Sequence, residues 1–116
     1  MDPINVSVFL QDEKTGNQPD FTGTSRDKKS KGAAWIKEST KNVGEIYYSV
    51  KVTDDKNESF NISTFKNEKT KDNQPDFTGT SRDKKVRAAI WEKDDKNRPG
   101  KKYLSIKVSE YTPRPA

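Results

Sequence analysis

Asn17-Gln-Pro-Asp-Phe-Thr-Gly-Thr-Ser-Arg-Asp-Lys-Lys29 occurs twice in this chain, returning unaltered as Asn73 to Lys85. Carrying the offset of 56 residues outward aligns Ile4 to Asp54 with Phe60 to Glu110 without a gap, and roughly half of the aligned positions are identical. The chain is therefore a tandem repeat, with copy one at 1–56, copy two at 57–111 and an extended Pro-rich tail at 112–116. A unit of this size is marginal on its own, so the copies are expected to share one core.

Flanking segments alternate in polarity. Ile4-Asn5-Val6-Ser7-Val8 and Phe60-Asn61-Ile62-Ser63-Thr64 put Ile4, Val6, Val8 and Phe60, Ile62 on one side of a strand. Polar linkers follow at Gln11 to Gly16 and Asn67 to Asp72. The repeated stretch holds Pro, Asp and Gly and has no period of 2 or 3.6, so it reads as a long ordered loop in which Phe21 and Phe77 anchor onto the sheet. Beyond it, Gly32 to Glu38 with Glu45 to Thr53, and Ala88 to Asp94 with Lys101 to Ser109, read as β-hairpins.

The copies suggest the hairpin register. Setting Ile36 opposite Ile46 sets Glu92 opposite Lys102, an apolar pair exchanged for an ion pair, as cross-strand neighbours exchange. The same register puts Trp35 against Tyr47, Trp91 against Tyr103, Ala34 against Tyr48 and Ile90 against Leu104. One hairpin face then carries Ala34, Ile36, Ile46, Tyr48, Val50 and Val52, matched by Ile90, Leu104, Ile106 and Val108, and is expected to form the core. The other carries Ala33, Trp35, Lys37, Tyr47, Ser49 and Lys51, every one repeated in copy two. The short linker Asp54 to Ser59 joins the copies. No segment has helical periodicity with caps. The expected fold is all-β: two tandem three-stranded meanders forming a six-stranded barrel or small sandwich with pseudo-two-fold symmetry.

Composition limits the chemistry. With no cysteine and no histidine among 116 residues, thiolate nucleophiles, disulfides, cysteine or histidine zinc sites and the usual general base are absent. Ser and Thr lack a base to activate them. Asp54-Asp55 and Asp94-Asp95 are adjacent turn acids whose side chains diverge, a poor metal site. No enzyme, metal or cofactor is expected. No apolar run reaches the length of a membrane span and Met1-Asp2-Pro3-Ile4 is not a signal peptide, so an intracellular setting is expected.

The net charge of +5 lies in one half: 57–116 holds 14 Lys/Arg against 9 Asp/Glu, whereas 1–56 is balanced at 9 and 9. Aromatic rings beside lysines suit single-stranded nucleic acid, whose bases stack while cations meet the phosphates. Trp35, Tyr47 and Lys51, with Trp91, Lys93, Tyr103 and Lys107, are the candidate platforms. Arg82, Lys84, Lys85 and Arg87 at the basic end of the second loop, and Arg98, Lys101 and Lys102 at the second hairpin tip, are candidate phosphate contacts. Competing placements bury the indoles between the meanders and leave the charge runs merely hydrated. Copy one carries Leu10, Ile36 and Ile46 where copy two has Lys66, Glu92 and Lys102, a candidate apolar patch for a protein partner or a second copy of the chain.

Pro75-Asp76-Phe77, Ala89-Ile90-Trp91-Glu92-Lys93 and Tyr103-Leu104-Ser105-Ile106-Lys107-Val108 together resemble a family of small uncharacterised bacterial and phage proteins typical of plasmids and other mobile elements, which carry Ala-Trp-Lys-Lys followed by Tyr-Leu-Ser-Val-Lys. The resemblance implies a phage or mobile-element source, hence the bacterial host cytoplasm or a virion as the expected setting, and no catalytic residues. Two functions follow as expectations: sequence-tolerant binding of single-stranded nucleic acid, or a protein-interaction module, viral structural or host-binding, that uses the apolar patch and the repeated loops.

Overall fold

The computed structural model describes residues 3–11, 16, 18–41, 44–68, 71, 73–82 and 84–110. Linker residues 12–15, 69, 70 and 72, together with Asn17, Val43, Asp83 and the tail at 112–116, lie outside the described residues. The described residues contain no helix, hence none long and apolar enough to cross a membrane. They form eight strands: β1 (Ile4–Leu10), β2 (Phe21–Ser25), β3 (Lys31–Glu38), β4 (Ile46–Thr53), β5 (Ser59–Lys66), β6 (Phe77–Thr80), β7 (Val86–Asp94) and β8 (Lys102–Glu110). Each pairs antiparallel with the next, and β1 pairs with β8, closing a barrel. The all-β expectation holds. The count of six strands does not, and a sandwich is excluded by closure.

The missing strands are β2 and β6, which lie inside the stretch expected to be a loop. Phe21-Thr22-Gly23-Thr24-Ser25 does alternate, but its inward residues after Phe21 are Gly and Ser, which carry no hydropathy signal. Gly23 is fixed by close approach of β1: a Cβ there would lie 1.8 Å from the Ser7 carbonyl oxygen, and at Gly79 one would lie 2.0 Å from that of Ser63. Phe21 and Phe77, each 5% exposed, fill the interior. Both rings meet Tyr48 edge-on, with centroids 6.0 and 4.6 Å away.

Strands related by the repeat run the same way, so the pseudo-two-fold axis follows the barrel axis. Eight strands leave an interior that side chains can just fill. Val6, Val8, Ala34, Val50, Val52, Ile62, Ile90, Leu104, Ile106 and Val108 do so, each at most 2% exposed. Buried Thr64, which stands where copy one has Val8, donates its hydroxyl to the Tyr48 carbonyl at 3.0 Å, so the polar atom does not go unpaired.

The repeated stretch also ties off the barrel end. Asp20 Oδ2 accepts from the Ile36 amide at 2.7 Å and Asp76 Oδ2 from the Glu92 amide at 2.8 Å, while the amides of Asp20 and Asp76 donate to the carbonyls of Ala34 and Ile90. At the other end Ser25 to Ser30 and Ser81 to Val86 close tight turns, with Lys28 and Lys84 at φ 63° and 60°. Asp54 Oδ1 accepts from the amides of Lys56 and Glu58 and shapes the turn joining the halves.

The hairpin register differs from expectation by two residues. Ile36 faces Tyr48, Glu92 faces Leu104, Trp35 faces Ser49, Trp91 faces Ser105, Ala34 faces Val50 and Ile90 faces Ile106. The cause is the turn. Gly44 and Gly100 take φ of 89° and 84°, so the first bonds after the turn join Ser39 to Glu45 and Asp95 to Lys101. A slip of two preserves which face each side chain occupies, so the division into inner and outer faces stands. Ile36 and Ile46 nonetheless leave the core: they lie at the barrel mouth, 41% and 42% exposed. Glu92 makes no pair with Lys102 in this register; its carboxylate accepts from the Tyr48 hydroxyl at 3.2 Å, and Lys102 lies opposite Asp94.

Candidate nucleic-acid interface

Alternation along each strand sends every second side chain outward. Trp35, Trp91, Tyr47 and Tyr103 all fall on the outer surface, each partly buried, with none sealed in the core. The Trp91 indole is oriented by Nε1, which donates to the Asn73 carbonyl at 3.0 Å. Lysines and hydroxyls surround the rings, so this barrel is apolar inside and polar outside, the reverse of a membrane-spanning barrel.

Two grooves flank the tryptophans. One, of about 520 Å³, is lined by Thr22, Gly23, Thr24, Lys31, Gly32, Ala33, Trp35, Lys51 and Thr53. The other, of about 450 Å³, is lined by Thr78, Gly79, Thr80, Arg87, Ala88, Ala89, Trp91, Lys107 and Ser109, with Pro75 added. Apart from Pro75 the two linings correspond residue for residue under the repeat. Small floor residues beside an indole make each depression, and two cations rim it. No acidic residue lines either groove.

Beside each groove lies a ledge of stacked rings that the sequence did not single out. Phe9 of β1 stacks on Tyr103 of β8 at 5.2 Å and 26°, and Tyr47 of β4 stacks on Phe65 of β5 at 5.1 Å and 27°. Phe9 and Phe65 are 40% and 54% exposed. Each ledge straddles a junction between the two halves and so draws one ring from each copy. Cross-strand neighbours connect ledge to groove: Lys93, Tyr103, Phe9, Thr22, Ala33 and Lys51 follow one another across β7, β8, β1, β2, β3 and β4. The equivalent row runs Lys37, Tyr47, Phe65, Thr78, Ala89, Lys107. The missed residues had a visible signal, since Phe9 and Phe65 are identical between the copies and fall at outward positions of their strands.

The other expected contacts do not gather at the grooves. Arg82, Lys84 and Lys85 occupy the β6–β7 turn at one barrel end, and Lys102 lies at the opposite end. Lys101 accompanies it, its amide bonded to the Arg98 carbonyl. Arg98 is a tie rather than a free cation. Its Nε donates to Asp95 Oδ2 and its Nη1 to the Leu10 carbonyl, each at 3.0 Å, fastening the β7–β8 loop to β1. The Arg98 hydrogen bond holds the Asp95 carboxyl below the usual carboxylate range. Arg87, Lys93, Lys107 and Lys51 remain on the outer surface with the rings. Of the apolar patch, Leu10 packs against the core, whereas Ile36 and Ile46 are exposed. Among the described residues no group of three or more acids gathers to hold a metal ion.

The structure thus defines an eight-stranded antiparallel barrel with twin outer-face grooves. Comparison with protein-family models, curated proteins and solved structures yields no match.

Proposed function

We propose that this barrel is a non-enzymatic binding protein, of phage or mobile-element type, that takes single-stranded nucleic acid on its two outer strips with little regard to sequence. Bases stack on Trp35 and the Phe9–Tyr103 ledge on one side, and on Trp91 and the Tyr47–Phe65 ledge on the other. Lys31 and Lys51, and Arg87 and Lys107, meet the phosphates.

One observation carries this reading. Outward positions Asn5, Ser7, Phe9, Thr22, Thr24, Ala33, Trp35, Lys37, Tyr47, Ser49 and Lys51 recur unchanged in copy two, and Lys31/Arg87 and Thr53/Ser109 differ conservatively. Inside the barrel the copies drift: Val6/Ile62, Val8/Thr64, Ala34/Ile90, Tyr48/Leu104 and Val50/Ile106. Stability holds core residues far more tightly than surface ones, where most substitutions fall within about 0.5 kcal/mol. A surface more uniform than its core points to a ligand that both halves touch. Stacked rings with flanking cations fit a flexible polyanion with exposed bases.

Tryptophan fluorescence titrated with oligothymidylate tests it. Quenching is expected at low salt, weakening steeply as salt rises; no quenching at either salt concentration rejects the proposal. A second reading rests on exposed Ile36 and Ile46, which would seat a protein partner or a second copy at the barrel mouth. It predicts salt-insensitive association that Ile36→Glu with Ile46→Lys abolishes.

A further inference from the structure

We infer that one nucleic-acid strand runs around the barrel and occupies both strips in succession, an arrangement that rests on the nucleic-acid reading of those strips. Two sites on opposite sides of a small barrel admit two modes: each holds a separate strand, or one strand visits both. The symmetry discriminates. Because the pseudo-two-fold axis lies along the barrel, both rows run in the same rotational sense, ledge before groove. The first passes from β8 through β1 to β4, and the second from β4 through β5 to β8. A strand leaving groove one at Lys51 of β4 finds Tyr47 four residues back along the same strand, about 13 Å away with Ser49 between them, and enters the second strip with the polarity it had in the first.

The surface between them is continuous. Trp35 neighbours Ser49, and Ser49 neighbours Ser63. Ser49 and Ser63 line a third groove, of about 780 Å³, with Asn61, Thr80 and Arg82. Thr80 also lines groove two. The passage from Trp35 to Trp91 is thus recessed, hydroxyl-lined and bounded by an arginine, suited to a sugar-phosphate backbone. On the far side a smaller groove, of about 360 Å³, with Asn5, Ser25, Arg26 and the acidic Asp27, occupies the comparable place between β1 and β2. Strips that served separate strands would not need such a connection.

Oligothymidylates of about 5 and about 30 nucleotides, chosen to cover one strip and both, carry the test. The short oligomer is expected to bind two per chain. The long one, labelled at its ends with a donor and an acceptor, should bind one per chain and at least ten-fold tighter, with energy transfer rising as its ends draw together. Lys51→Glu changes an exposed charge without entering the core; it should leave one short oligomer per chain and remove both the affinity gain and the rise in transfer. Two long oligomers per chain, or one bound without its ends approaching, overturns the encircling path while leaving the strips intact. If the short oligomer does not bind at all, the nucleic-acid reading itself falls and the path with it.

Discussion

Tyr48 donates its phenolic hydrogen to Glu92 across the barrel mouth at 3.2 Å, and the positions that the repeat makes equivalent to this pair hold Leu104 and Ile36. Both members of the pair change between the two settings, from polar to apolar, although 44 residues separate Tyr48 from Glu92 along the chain. Tyr48→Leu strands a half-buried carboxylate and Glu92→Ile strands a buried hydroxyl, each at about 1–2 kcal/mol. The double substitution, which installs the apolar arrangement in both halves, should cost about 1 kcal/mol less than the sum of the singles, as read from urea unfolding.

Burial, reinforced by the charge of Glu92, pushes the Tyr48 hydroxyl well above the ordinary phenol value. The folded state therefore keeps a proton that the unfolded chain gives up above about pH 10. Tyr48 contributes fully below that pH, and its contribution falls as pH rises through the window, by up to about 1.4 kcal/mol per pH unit. Tyr48→Phe should flatten this part of the alkaline limb, measured as the unfolding midpoint in urea between pH 9 and 11; an unchanged slope would contradict the assignment.

Glycines of two kinds should respond differently to alanine. At Gly23 the added carbon meets backbone rather than a pliable side chain, so Gly23→Ala is expected to cost at least about 2 kcal/mol. Gly44 sits at φ 89° with open space around it, and Gly44→Ala should cost only about 1 kcal/mol. Thermal melts of the two variants would rank them.

Arg98→Ala separates charge from contact. Losing the tie to Leu10 and Asp95 should lower stability by about 1 kcal/mol and leave oligothymidylate affinity nearly unchanged. Lys107→Ala should do the opposite, lowering affinity and reducing the salt slope by about 0.7. The acid limb distinguishes them as well. The lowered Asp95 carboxyl contributes stability above the ordinary carboxylate range and loses it as pH falls through that range toward the depressed value. Arg98→Ala should make this loss shallower.

Much of this fold was legible because two copies of one sequence check each other. The outer and inner faces of β3, β4, β7 and β8 followed from alternation alone. β2 and β6 were hidden because Gly23 and Gly79 occupy inward positions that ordinarily display an apolar residue, a requirement set by the neighbouring backbone and invisible to periodicity. The exchange of Ile36 and Ile46 for Glu92 and Lys102 was real, but its partner was misassigned. Glu92 answers Tyr48, which approaches it through space across the barrel rather than along the hairpin. Likewise the positive charge at the second hairpin tip was visible, yet the employment of Arg98 as a fastener for the Leu10 carbonyl depends on closure between β8 and β1. Alternation sets the tryptophans on the face opposite the core but leaves open whether something else covers them, and the Phe9–Tyr103 and Tyr47–Phe65 stacks form only where one copy meets the other.

The barrel closes through two equivalent junctions, β4 with β5 and β8 with β1. A lone half would consequently finish with two raw strand borders and a cleft open to water along its length. Two such halves, brought together as separate molecules, would heal each other's borders and regenerate the same circle. Joining them head to tail at Asp54 to Glu58 turns a concentration-dependent association into an intramolecular one, and frees each interior to diverge, as Tyr48 and Glu92 have done.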